Sequence, residues 1–367
     1  MKQRMKIRRN EFQKEYSELE VTIKEKTSWN KARVYVIVRM VMALIRLQTV
    51  NLTRLSIILN PRVSAQTNYR RYQKFFLRFI PDGKSVARLL SSFLPEGKWV
   101  VSMDRTNWKL GSKDINILMI AVEHQGMAVP LIWSLLPKRG NSNGDERIEL
   151  MERFVQWFGS ERIETFVADR EFIGTLWLDW FISRKIPFAI RVKKDMLLRK
   201  SPLDKGKQVH RFFHHLKLYE SQVLRSRYYA YGHYLQIAAV RGKEEELLIL
   251  LTNMKHPDNA IEAYRKRWGI ETLFGAFKSR GFNLEDTHMS DPQKIATLVA
   301  IVSIAFVWAY KIGEWIADNI KPIKIKKHQR KAHSVFRIGI DFLADILHNL
   351  PFRRKELKWA VNFLACT

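Results

Sequence analysis

Trp99-Val100-Val101-Ser102-Met103-Asp104, then Asn116 to Glu123, then Met127 to Leu136 form three apolar runs in quick succession. Each is short and rich in β-branched and large apolar side chains, which suits a buried strand better than a helix. Gln125-Gly126, between the second run and the third, supplies a hairpin turn. Further along, Gly144 to Gly159 reads as a helix and Ile163 to Ala168 as a fourth strand that gives out at Asp169. Ile173 to Arg184 reads as a helix and Pro187 to Val192 as a fifth strand.

Three antiparallel strands followed by alternating helix and strand is the order of a ribonuclease-H-like α/β core, whose first part spans 96–192. The alternation stops at Lys193. Leu224 to Tyr231, Tyr234 to Arg241 and Glu246 to Leu251 favour strands, so 193–253 reads as a β-rich insertion. A helix beginning after Pro257-Asp258 returns to the core over 254–290. Helical regions flank this core: 1–95, punctuated by Pro61, Pro81 and Pro95, and 291–367, with helices over Pro292 to Ile320 and about 335 to 365. Within 1–95, Asn68 to Ile80 interleaves Tyr69, Tyr72, Phe75, Phe76 and Phe79 with Arg70, Arg71, Lys74 and Arg78. Two readings balance: cations laid along a DNA backbone, or an amphipathic helix with an aromatic core face and solvated arginines.

The 367 residues carry 64 Lys+Arg against 36 Asp+Glu, a net charge of +28, with 46% hydrophobic residues. That is a folded, strongly cationic chain, drawn to polyanions, with DNA or RNA first among them. Lys193, Lys194, Arg199, Lys200, Lys205, Lys207 and Arg211 open the insertion, and a second basic run spans Lys321 to His333. Such runs are ordinarily solvated loops; in a DNA-binding protein they contact phosphates. The single cysteine, Cys366, excludes an internal disulfide framework, argues against a cysteine zinc site and fits a reducing cytoplasm. Met1 to Asn10 is basic and lacks an apolar h-region, so no signal peptide is expected. The apolar run Ile295 to Tyr310 is shorter than the ~20 residues of a membrane span, so a buried helix and no membrane partner are expected. No G-x-x-x-x-G-K-[ST] loop is present, which argues against ATP.

Chemistry enters with Tyr264, Arg267, Glu271 and Lys278, spaced Y-(2)-R-(3)-E-(6)-K. On one continuous helix these side chains fall within roughly 60° of one another. Ile270, Leu273, Phe274 and Phe277 take much of the other side. A carboxylate can hold a metal ion, and cations one turn away can hold phosphates. The modest alternative is i,i+4 pairing of Arg267 with Glu271, worth about 0.2–0.5 kcal/mol, which leaves Tyr264 and Lys278 unexplained. Asp104 and Asp169 each stand where an apolar strand gives out, where an ionised carboxylate is costly unless paired or metal-bound. Three carboxylates can hold two divalent ions.

With Asp104, Asp169 and Glu271 in this order and the four-residue signature intact, the chain resembles the DDE transposases of bacterial insertion sequences. It looks most like the IS-four group, to which the Tn-five transposase also belongs. Met103 to Trp108, Lys138 to Ser142, Ala168 to Gly174, Arg267 to Glu271 and Arg280 to His288 match the style of that group, over about Trp99 to Asp291. The resemblance implies a ribonuclease-H-like catalytic domain with the β insertion between the second Asp and the Glu. It implies Mg²⁺ (or Mn²⁺), as two ions, held by Asp104, Asp169 and Glu271, and DNA contacts from Tyr264, Arg267 and Lys278, with Arg170 as a further candidate. It implies binding to terminal inverted repeats, hydrolytic cleavage of the transposon ends and joining of their 3′-OH groups to target DNA. A homodimer on the DNA and a cytoplasmic, nucleoid-associated location go with it. Some relatives flip a base onto a tryptophan; Trp268 lies beside the functional face, but nothing singles out one of the 11 tryptophans here. His288 and Glu285 could approach the metals or serve as ordinary loop residues. Two alternatives stay open: a nuclease of the same superfamily without strand transfer, and a catalytically silent DNA-binding descendant, which the presence of all three acids disfavours.

Overall fold

The computed structural model describes residues 17, 19–60, 62–243, 246–326 and 332–365. Met1 to Asn10, Pro61, Cys366 and, from the second basic run, Lys327, Arg330 and Lys331 lie outside the described residues. The chain divides into two compact units, one of Met1–Pro95, Trp108–Asp114 and Phe274–Thr367, the other of Glu96–Asn107 and Ile115–Leu273.

After a helical stretch at 19–26 come α1 (Lys31–Leu47), α2 (Leu52–Leu59), α3 (Ala65–Arg78) and α4 (Gly83–Ser91). Asn30, Asn51, Ser64 and Asp82 cap them, each side chain accepting from a backbone N–H of the first turn. In α3, Tyr72, Phe75 and Phe76 are buried while Arg70, Arg71 and Lys74 are exposed, so the aromatic residues are core and the cations face solvent. The buried Asn68 amide donates to the Ser56 and Asn60 carbonyls at 2.9 Å each, which fixes the turn between α2 and α3.

Next come β1 (Trp99–Leu110), β2 (Lys113–His124), β3 (Met127–Leu135), α5 (Gly144–Phe158), β4 (Ile163–Ala168), α6 (Thr175–Ser183) and β5 (Phe188–Arg191). These are the elements expected from the sequence, with one difference. Asp104 does not end its strand: β1 continues to Leu110, because Thr106 and Trp108 are buried while Asn107 and Lys109 are exposed. Alternation carries a strand onward after its apolar run stops. Gln125 and Gly126 have φ of 49° and 84°, the two positive values that a type I′ hairpin turn demands.

Residues 193–253 form β6 (Leu197–Leu198), β7 (Lys207–Gln208), β8 (Ser221–Val223), β9 (Tyr228–Ala230), β10 (His233–Arg241) and β11 (Leu247–Thr252). β6 and β7 make a small sheet of their own. The long strands do not stand apart: β11 pairs antiparallel with β5, and β10 with β11. One mixed sheet therefore runs β3-β2-β1-β4-β5-β11-β10-β8, with β9 beside β10. At its centre β1, β4 and β5 are parallel, with Met103 opposite Ala168 and Ala168 opposite Ile190.

The signature stretch is not one helix but two, α7 (Ala260–Lys266) and α8 (Trp268–Phe277), which meet at Arg267. The Arg267 N–H bonds to the Tyr264 carbonyl and the Ile270 N–H to the Arg267 carbonyl, the i,i+3 spacing of a tightened turn. Ala260, Ile261, Ala263 and Tyr264 of α7 share one buried apolar cluster with Val167, Ala189 and Leu250 of the sheet.

Three helices close the chain: α9 (Pro292–Asn319), α10 (Val335–His348) and α11 (Arg354–Ala365). α9 has 28 residues, longer than the apolar run seen in the sequence, and by length and composition it is able to cross a membrane. Within this protein 89% of its apolar window is buried, as in the core helix of a folded unit. Gly313 and Gly339 let α9 and α10 touch backbone to backbone: a Cβ on Gly339 would lie 1.7 Å from the Ala309 carbonyl oxygen.

Candidate active site

Because β1 and β4 are parallel and Met103 lies opposite Ala168, Asp104, within β1, and Asp169, just past the end of β4, come level with one another. Asp104 accepts the Arg105 N–H at 2.7 Å and lies 3.7 Å from the Arg267 guanidinium. Burial pushes its carboxyl up to about 6, and the charges of Glu171 and Glu271 add to that, against the Arg105 N–H and Arg267. Asp169 accepts the Arg170 N–H at 2.8 Å and the Tyr264 hydroxyl at 3.4 Å, and lies 3.7 Å from the Arg191 guanidinium.

Arg267 joins the acids. Its Nη2 donates to Glu271 Oε1 at 2.6 Å while Nη1 faces Asp104, and its guanidinium lies over the Tyr264 ring, 5.3 Å from the centroid. Burial works against the Arg267 charge, but Tyr264, Glu271 and Asp104 more than offset it, and its pKa is raised. Burial, with the Asp169 charge, pushes the Tyr264 hydroxyl up to about 12, so it remains a proton donor at neutral pH. The i,i+4 pairing of Arg267 with Glu271 is thus real, but it is one link in a chain that runs Asp169–Tyr264–Arg267 and from Arg267 to Glu271 and Asp104. Lys278, the residue after α8, pairs with Glu285 at 2.8 Å and faces the Trp108 ring.

Arg105, Glu171 and Glu123 went unnoticed as site residues in the sequence. Arg105 reaches Asn116 at 3.3 Å, Asn141 at 2.9 Å and Glu171 at 3.4 Å, which gives the Lys138 to Ser142 phrase a structural purpose. The third is Glu123, whose carboxylate is buried and accepts the Ser102 hydroxyl. Glu123 ends an apolar strand just as Asp169 does; the same signal, applied once more, finds it.

Beside Asp169 a cavity of about 700 Å³ is lined by Arg170, Arg191, Lys193, Lys194, His210 and Arg241, among others, with Asp195 and Glu246 as its acids. Arg241 is held rigidly, its guanidinium donating to the Leu216 and His214 carbonyls at 2.6 and 3.2 Å. Trp268 is 65% exposed, and every other tryptophan is buried or half-buried.

The sequence profile described as the transposase DDE domain matches residues 95–308. The chain belongs to this transposase family. Among curated proteins none matches the chain. The match takes in Asp104, Asp169 and Glu271. The family generally uses divalent metals. In this transposase no group of three or more His, Cys, Asp or Glu side chains is poised to hold a metal ion among the described residues. The acids are engaged elsewhere: Arg267 contacts Asp104 and Glu271, and Arg191 and Tyr264 attend Asp169. The donor chemistry still fits a hard divalent cation, since every donor is a carboxylate oxygen. The Asp104 carboxyl, raised chiefly by burial, is one whose charge a cation would stabilise.

Proposed function

We propose that this transposase binds the terminal inverted repeats of its own element, cleaves the ends by metal-assisted hydrolysis and joins the freed 3′-OH groups to target DNA. The observation that carries the reading is the convergence of Asp104, Asp169 and Glu271 on the shared pair Tyr264 and Arg267. The strand order β3-β2-β1-β4-β5 supports a ribonuclease-H-like core, with Asp104 on β1 level with Asp169 just past β4. Mg²⁺ or Mn²⁺, as two ions held by Asp104, Asp169 and Glu271, would supply Lewis-acid activation of water and of the scissile phosphate. The protein's own groups do the rest. Tyr264 donates its hydroxyl to a phosphate oxygen. Arg267 offers a planar fork that suits phosphate as well as carboxylate. Arg170 orients the strand beside Asp169, Lys278 holds a backbone phosphate, and the exposed Trp268 ring offers a base a stacking surface. Protein, Mg²⁺, an end-bearing duplex and a target plasmid should together give joined products. Cleavage without joining would reduce the reading to a nuclease of the same superfamily.

The cationic cavity beside Asp169 supplies the phosphate contacts that lead DNA to the acids, and the exposed cations of α3 make 1–95 a second DNA-binding region. Residues 291–367 would add DNA contacts or a dimer interface, so that two chains hold two ends. A cytoplasmic, nucleoid-associated location follows from the substrate. Lys194→Ala is expected to weaken end binding and to lower the slope of log K against log salt by about one counterion. An unchanged slope in a binding titration across salt would remove Lys194 from the DNA path.

A further inference from the structure

Glu123 and Arg267 are each incompletely satisfied in the same enclosed space. Glu123 Oε1 takes the Ser102 hydroxyl, and its Oε2 is buried without a partner. Arg267 is 7% exposed, and its Nε is buried without a partner while its terminal nitrogens serve Glu271 and Asp104. The two side chains are close. Glu123 Oε2 lies against Gly269, two residues beyond Arg267, where an added Cβ would sit 2.0 Å from it. Arg267 also holds down a Glu123 carboxyl that burial otherwise pushes well up. A buried acceptor without a donor near a buried donor without an acceptor is a costly arrangement, and pairing the two would relieve both.

We propose that Glu123 is a positioning residue that takes the Arg267 guanidinium when Asp104 and Glu271 are given over to a divalent ion. This rests on the metal reading above. A cation seated on Asp104 and Glu271 repels Arg267, and a buried guanidinium cannot simply move into water. Glu123 is an acid facing Arg267 that lies outside the Asp104, Asp169 and Glu271 set. Arg267 leaves two carboxylates for one, the divalent ion takes its place on Asp104 and Glu271, and the two added positive charges are spread over three carboxylates instead of two. Ser102, anchored one residue from Met103 and two from Asp104, keeps the Glu123 carboxylate in place for the transfer.

The test is the rise in Tm of the full chain with Mg²⁺ alone, in the absence of DNA, from which the half-saturating Mg²⁺ concentration is read. Glu123→Gln should raise that concentration about tenfold, the scale of losing an outer partner of a metal site. In an Arg267→Met background, where no guanidinium competes, the same Glu123→Gln change should leave it within about twofold. Equal effects in both backgrounds would make Glu123 a mere source of negative field and overturn the proposal. So would an unchanged Mg²⁺ response in Glu123→Gln. Glu123→Met, an apolar side chain of similar length, replaces Glu123→Gln should that variant not fold. A parent chain whose Tm never responds to Mg²⁺ defeats the metal reading itself, a result separate from the other two.

Discussion

A chain carrying Asp169→Asn is expected to bind transposon-end duplex and to leave it uncut. The amide keeps the shape of the side chain and an acceptor for the Arg170 N–H, so the turn after β4 survives. It removes the negative charge that a divalent ion needs, and metal-derived charge stabilisation is worth several kcal/mol at the transition state. At 1.36 kcal/mol per factor of ten, the loss in cleavage rate should be about 10³-fold or more. Binding should hold or tighten, because Arg191, now 3.7 Å from Asp169, is released toward the cationic cavity and its phosphates. Gel-shift binding and a Mg²⁺-dependent nicking assay on the same preparation separate the two quantities. Loss of binding together with cleavage would make Asp169 a structural residue and not a metal ligand.

Much of this site could be read before any coordinates. Strand-end acids, an aromatic, a cation and a third acid in fixed order pointed to the right neighbourhood, and parallel pairing of β1 with β4 then set Asp104 beside Asp169. What the sequence hid has physical causes. Helical spacing places Tyr264, Arg267 and Glu271 on one stripe only if the helix is unbroken, and no proline in the local sequence marks the i,i+3 turn at Arg267. The continuation of β1 past Asp104 rests on alternating burial of Thr106 and Trp108, a weaker signal than the apolar run before it. The segment after Lys193 breaks the helix–strand alternation, which suggests an appendage. Backbone pairing decides otherwise for its long strands, since Leu250 to Thr252 lie opposite Ala189 to Arg191. Glu123 was concealed because buried acids are rare, so a lone glutamate at the end of an apolar run is ordinarily taken as the place where the strand meets water.

Asp104→Asn should make the metal-free protein more stable at neutral pH while destroying its cleavage activity. The folded chain raises the Asp104 carboxyl from the ordinary 3.8 to about 6, chiefly by burial. An acid whose pKa is higher folded than unfolded binds more protons in the folded state, so its ionisation costs stability as pH rises between those two values. Above about pH 6 the whole cost is present, about 3 kcal/mol at 1.36 kcal/mol per pH unit. Asparagine keeps an acceptor for the Arg105 N–H and never ionises; Arg267 gives up only a 3.7 Å contact and retains Glu271. A net gain of about 2 kcal/mol is expected, seen as a Tm higher by a few degrees at pH 7.5 in EDTA. Below about pH 3, a unit under the unfolded value of 3.8, the variant and the parent should melt together, because Asp104 is then protonated folded and unfolded alike. Equal melting at pH 7.5, or a less stable variant, would mean that Arg267 already compensates the charge and leaves Asp104 no need of a further cation. A gain that grows between about pH 4 and pH 6 and levels off above that, and that added Mg²⁺ cancels by stabilising the parent alone, would identify Asp104 as a charge held at a cost in stability for the ion it binds.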